Sequence, residues 1–261
     1  MAPNREQLIA HLLATGMAGT VATPRENNLE HYARMARRDP HYQFGLELGI
    51  WTPDTVLDLM VRKAGVDPRL NHRRGQDTID PELTADALDR YAARFGKALQ
   101  AKQRVLFATG HPRTLARLYQ QLATALTEAG GTVVPLPEGL GYAAENRYGT
   151  VRRVQVESFM GVGILADGGA PIHTHSPLPI QLVLSDLAAR GAPMPDLVVA
   201  DHGWCGGAAQ AGLDAIGFAD CNDPALFAGE DEGTVAVAVP LDDGIAERQY
   251  DLLGEYILTR G

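Results

Sequence analysis

The sequence predicts an α/β protein: a mainly parallel, three-layer, Rossmann-like sheet domain over 104–261, preceded by a helical segment or cap over 1–103. Three observations predict it. From residue 104 onward, short apolar runs bounded by turn residues alternate with amphipathic stretches, as in βαβ units. Before 104 the apolar spacing is helical and carries no convincing strand. Two apolar runs, Leu197 to Ala200 and Ala215 to Ala219, end abruptly at Asp201 and Asp220. Carboxylates just past adjacent parallel strands share the rim where open α/β sheets bind ligands.

In chain order, Asn4 caps a helix with Leu8, Ile9, Leu12 and Leu13 on one face. Residues 17–24 read as a small-residue turn, and Asn27 or Asn28 caps a second helix through Met35. Pro53 opens a third, with Val56, Leu57, Met60 and Val61, stopped by Gly65. Pro81 opens a fourth, carrying Leu83, Leu88, Tyr91, Phe95 and Leu99, with Glu82 at the positive end of its dipole.

The second part begins with a strand at 104–108, the turn Thr109-Gly110-His111-Pro112, a helix over 114–129 and a strand over 132–136. Strands follow at 151–156 and 162–165. A short one ends in Ile172-His173-Thr174-His175-Ser176-Pro177, and a helix runs over 178–189. Then come a strand at 197–200, a helix near 208–213, a strand at 215–219 and a short helix after Pro224. A last strand over 234–239 and a helix over 245–258 close the chain. Gly203-Trp204-Cys205-Gly206-Gly207 reads as a glycine-rich turn between strand and helix.

Composition narrows the function. The 261 residues carry a net charge of −9, against a general nucleic-acid surface, which needs a concentrated basic face. A small anionic metabolite held by a few arginines remains compatible with that charge. Two cysteines, Cys205 and Cys221, are too few for a disulfide scaffold and read as packing residues. No run is long enough to span a membrane and no signal-peptide pattern precedes the first helix, so the expected location is the cytoplasm. The oligomeric state is left open.

Four of the eight histidines, His111, His173, His175 and His202, fall at predicted strand ends together with Asp201, Asp220 and Asp223. Residues two apart on a strand face the same way, so His173 and His175 can bind one ion. The candidate metal ligands are His173, His175, Asp201, His202 and Asp220. Mixed histidine and carboxylate ligands suit zinc or manganese, and carboxylates with water suit magnesium. His111, His202 and Asp220 are the candidate catalytic groups, since histidine titrates in the range acid–base work needs. Candidate substrate contacts are the Gly110 turn, with its helix N-terminus, Asn222, and Arg25, Arg73 and Arg74 from polar loops of the helical part. Asp223 before Pro224 and Ser176 before Pro177 read as helix caps.

The set Ala108-Thr109-Gly110-His111-Pro112, His173-Thr174-His175-Ser176, Ala200-Asp201-His202-Gly203-Trp204 and Phe218 to Pro224 resembles a family of uncharacterised actinobacterial proteins generally labelled phosphatase. Val21 to Asn28 and Gly75 to Pro81 fit it too, so the resemblance covers most of the chain. It implies phosphoester hydrolysis but assigns no substrate and no catalytic residue. The chain has neither the DxDx[TV] strand motif of haloacid-dehalogenase phosphatases nor the RHG loop of histidine phosphatases. With the residues above, it implies a metal-assisted phosphomonoester hydrolase of a small phosphorylated metabolite. Two other readings use the same residues: a lyase or isomerase of a sugar phosphate or hydroxy acid, and a non-catalytic small-anion-binding protein.

Overall fold

A computed structural model describes residues 3–145 and 149–261. The chain runs α1 (Arg5–Thr15), β1 (Gly19–Pro24), α2 (Arg25–Ala36), α3 (Pro53–Ala64), β2 (Gln76–Ile79) and α4 (Pro81–Gln100). It continues through β3 (Arg104–Ala108), α5 (Ala116–Glu128), β4 (Thr132–Val133), β5 (Gly141–Glu145), β6 (Val151–Phe159), β7 (Val162–Asp167) and β8 (Ala170–Ile172). Last come α6 (Leu178–Ala189), β9 (Leu197–Val199), α7 (His202–Gln210), β10 (Ala215–Ala219), α8 (Pro224–Asp231), β11 (Val237–Pro240) and α9 (Asp251–Arg260).

Among the described residues, β3 to β11 form one mixed sheet of order β11-β10-β9-β3-β7-β6-β5, with β4 beside β3 and β8 beside β7. From β11 to β7 the pairings are parallel; β6, β5 and β8 pair antiparallel. The expected mainly parallel sheet is therefore mixed. The connections explain why. Met160-Gly161 and Gly168-Gly169 turn with positive φ, 50° and 86°, then 57° and 84°. Turns this tight join antiparallel neighbours and leave no room for the crossover that a parallel connection needs.

The helix starts obey local chemistry. Asn4 and Gln7 form a capping box on α1, Thr52 and Thr55 one on α3, and Asp80 caps α4. One buried apolar cluster runs from Leu8 through Tyr91, Phe107 and Val198 to Ile257.

Several boundaries depart from expectation. The turn expected over 17–24 contains β1, which pairs antiparallel with β2 and buries Val21 and Ile79. Helix α2 starts at Arg25, because Asn28 is not a cap: its amide donates to Asp77 inside the protein. The strand expected over 132–136 stops at Val133, where Pro135 and Pro137 lack the N–H a ladder needs. The closing helix begins at Asp251, leaving Asp242 and Asp243 in the loop before it.

The largest departure is α7. Its glycines lie inside a helix, not in a turn. A Cβ on Gly203 would overlap the carbonyl oxygens of His175 and Ser176, and one on Gly206 the carbonyl oxygen of Phe44. These glycines let two chain segments approach the helix backbone.

Candidate active site

Four adjacent parallel strands deliver their following loops to one rim. β3 leads to Gly110 and His111, β9 to Asp201 and His202, β10 to Asp220 and Asp223, and β11 to Asp242 and Asp243. His173 and His175 arrive by another route. The β7–β8 hairpin folds back antiparallel, and the Thr174 N–H donates to the Gly110 carbonyl at 3.0 Å.

His202 is the hub. It opens α7 with φ +48°, a left-handed conformation rare outside glycine and frequent at functional sites. Its Nδ1 lies 2.7 Å from Asp201 Oδ2, which also accepts the Gly110 N–H at 2.8 Å. That contact fixes the ring and turns Nε2 toward Asp223 at 3.4 Å and Asp243 at 3.6 Å. The His173 and His175 rings each stand 5.0 Å from the His202 ring, centre to centre. His111 stacks on His202 at 5.6 Å and packs edge-on against His173 at 4.5 Å.

Electrostatics divide the rim. Burial pushes His175 down to about 2 and His173 to about 3, with His202 and His111 adding to the effect at His173. His173 keeps one side open to solvent, which tempers its shift. Both rings are neutral at pH 7 and free to accept a cation. Burial also lowers His111. His202 goes the other way. Burial opposes its charge, but hydrogen bonds to Asp201 and Asp223 outweigh that and hold it well above 6.5. Burial works against charge at Asp223 as well, and the His202 partner overcomes it, so Asp223 stays ionised. Asp220 is pushed up to about 7 by burial and then by Asp242, and burial raises Asp243 well above the carboxylate range.

The carboxylates are incompletely satisfied. Among the described residues, Asp223 Oδ1 and Asp243 Oδ2 are buried with no hydrogen-bond partner, while the buried Asp201 interacts with the Thr109 and Tyr119 hydroxyls. Three groups bring their ligand atoms within 4.8 Å of one another: His173, His175 and His202; His202, Asp223 and Asp243; Asp220, Asp242 and Asp243. A buried group of acids with free oxygens is chemically suited to a divalent cation.

The structure brings together all four histidines singled out in the sequence. Asp201 lies behind the rim as the partner of His202. Asp220 stands in the acidic group, held by the Thr23 hydroxyl at 2.5 Å and the Cys221 N–H at 2.6 Å. Asp223 makes no cap bond and faces His202 instead, whereas Ser176 accepts the Leu178 N–H as a cap does. Gly110 spends its N–H on Asp201, so that amide is not free for an anion. Asn222 donates to Asn27 and keeps a buried, unpartnered Oδ1. Arg25 is wholly buried and bound to Asp77 at 2.9 Å and to the His72 carbonyl, which removes it from the substrate. Arg73 and Arg74 are exposed, and no described contact brings them to the histidines. Both cysteines are buried thiols, as packing residues are.

Three groups escaped the sequence reading. Asp242 and Asp243 lie three and four residues past the expected end of the last strand at Val239, so no strand end marked them. His41 stacks on His175 at 4.3 Å from a polar loop that carries no motif. A cavity of about 640 Å³ opens beside this cluster, lined by His41, His173 and His175 and by apolar side chains of β6, β7 and α6.

The family model described as Phosphatase matches residues 3–261. A Streptomyces coelicolor protein named Phosphatase SCO2771 is 50% identical over 260 residues, covering 98% of this chain and 96% of that one. Among the described residues no helix is long and apolar enough to cross a membrane.

Proposed function

The chain belongs to the Phosphatase family and is a hydrolase of that class; from that premise we propose a metal-assisted phosphomonoester hydrolase acting on a small phosphorylated metabolite. One observation carries the metal: Asp223 Oδ1 and Asp243 Oδ2 are buried without partners among the described residues, and both acids bring a ligand atom within 4.8 Å of His202, which also groups with His173 and His175. A divalent ion there supplies Lewis acidity to the phosphoryl oxygens and makes water a better nucleophile.

The side chains have distinct tasks in this reading. Asp201 orients His202 through Nδ1, the carboxylate–histidine arrangement that fixes a ligand ring. His202 Nε2, on giving up its proton, would hold the ion together with His173 and His175 or with Asp223 and Asp243. His111, neutral and fastened through Nδ1 to the Thr114 hydroxyl at 2.7 Å, presents Nε2 to a phosphoryl oxygen. The cavity beside His173 and His175 takes the alcohol part of the ester.

The test is phosphate release from a panel of phosphomonoesters after chelation, then after adding magnesium, manganese or zinc. We expect release from some members only when metal is returned. Undiminished release from fully stripped protein would remove the metal, and no release from any member under any metal would remove the phosphomonoester.

A further inference from the structure

We propose that the rim holds two different divalent cations bridged by Asp243: a borderline ion on the histidine side and a hard, oxygen-bound ion on the acidic side. This deepens the metal-assisted reading and rests on it.

His202 commits its Nδ1 to Asp201, so only Nε2 is left to ligate. One nitrogen binds one ion. The group of His173, His175 and His202 and the group of His202, Asp223 and Asp243 are therefore alternative seats for a single ion. Asp220, Asp242 and Asp243 form a group without His202, and its atoms belong to a second ion. Asp243 is common to both sides, and a carboxylate has two oxygens.

An acidic cluster alone would not establish the second ion. The independent observation is Asp243 itself. Its side chain is nine-tenths buried; Oδ2, 3.6 Å from His202 Nε2, has no hydrogen-bond partner among the described residues, and Oδ1 lies 3.8 Å from His111 Nε2. The other two acids are already aimed. Thr23 and the Cys221 N–H hold Asp220, and the Gly244 and Ala22 N–H groups hold Asp242 at 2.9 and 3.3 Å. Each of those oxygens keeps a second lone pair for a cation. Orientation of ligands by such outer contacts is the usual construction of a metal site.

The donor sets differ in kind. Imidazole with carboxylate suits zinc or manganese, and carboxylate alone with water suits magnesium or manganese. Two ions sharing a carboxylate stand about 3.5–4 Å apart, close enough to clamp both sides of an in-line displacement.

Manganese(II) is the probe, since it fits both donor sets. The intact chain is titrated calorimetrically, and electron paramagnetic resonance is recorded on the loaded protein. The expected result is two manganese ions per chain with an exchange-coupled spectrum, and displacement of one of them by a single equivalent of zinc. Asp242→Asn, checked for native circular dichroism, should bind one ion and give an uncoupled spectrum. One ion per wild-type chain, or two without coupling, overturns the bridge while leaving the metal-assisted reading standing. Zinc displacing both or neither overturns the division into two donor classes. No binding at all overturns the bridge and the metal-assisted reading together.

Discussion

Asp220 makes the pH behaviour of this protein predictable at the level of one side chain. Its folded value of about 7 lies above the ordinary 3.8, so the folded protein holds a proton there that the unfolded chain releases. The stability this contributes is complete below 3.8 and is lost as pH rises through 7. His202 and Asp243, also raised, act in the same direction. His173 and His175 act oppositely, because their folded values of about 3 and 2 lie below 6.5. Their effect ends once the unfolded histidines have lost their protons near 6.5, so the window above 6.5 belongs to the raised groups, Asp220, Asp243 and His202. The metal-stripped protein should show a falling melting temperature across that window. Asp220→Asn should flatten the fall, and a divalent cation, which favours the ionised carboxylate, should remove it. Thermal scans with and without chelator decide the matter; an equal slope in wild type and Asp220→Asn would acquit Asp220. This acid was legible because it ends an apolar run. Asp242 and Asp243 follow β11 in the same way, but the last strand was expected to end at Val239, three residues before Asp242, so neither acid stood at its end.

At the scale of elements, α7 shows where sequence reasoning succeeds and where it fails. The apolar strands β3, β9 and β10 were legible to within a residue, because buried parallel strands are short unbroken apolar runs. Helix α7 was not, because its three glycines have low helix propensity and only tertiary contact justifies them. Gly203 lies against the His175 and Ser176 carbonyls, so the strand end carrying His202 and the hairpin end carrying His173 and His175 meet at that glycine. Gly203→Ala favours the isolated helix yet should displace the histidine segment. Such overpacking costs about 1–3 kcal/mol, or roughly 2–10 °C in melting temperature at this chain size. Manganese affinity should fall as well. A variant of unchanged or higher melting temperature with unchanged affinity would mean that the close approach does not position the site. The antiparallel β5–β8 region was legible only in part. Its strands range from three residues in β8 to nine in β6, β7 is buried without alternation, and the sheet direction is decided by turn lengths that apolar periodicity does not report.

At the scale of the whole molecule, the two halves of the mixed sheet meet at the histidines, with His173 and His175 following the antiparallel β8 and His202 following the parallel β9. The parallel half carries the acids and His202, and the antiparallel half walls the cavity of about 640 Å³. That wall is mainly apolar, with Tyr142, Val154, Leu165, Ile172 and Leu178. Its Arg152 is already paired with Asp167 at 2.7 Å, and Glu145 adds another negative charge. A second phosphate or carboxylate on the substrate would meet the Glu145 carboxylate there, while an apolar alcohol would displace water from apolar surface. The chain should therefore prefer 1-naphthyl phosphate to glycerol 3-phosphate. Leu178 tests the preference with little risk to the fold, because it lies at the start of α6 and is 45% exposed. Leu178→Arg should raise KM for the naphthyl ester about tenfold, a factor equal to about 1.4 kcal/mol and within the range for burying one aliphatic side chain. It should leave kcat for both esters, and KM for the glycerol ester, near the wild-type values, because the substitution lies outside the ion-binding groups. If both KM values rise in parallel, Leu178 serves phosphate binding or stability and not the alcohol. If the glycerol ester is the better substrate of the wild type, the cavity does not receive the leaving group, and the alcohol must depart on the side of the rim closed by Thr23 and Asp220.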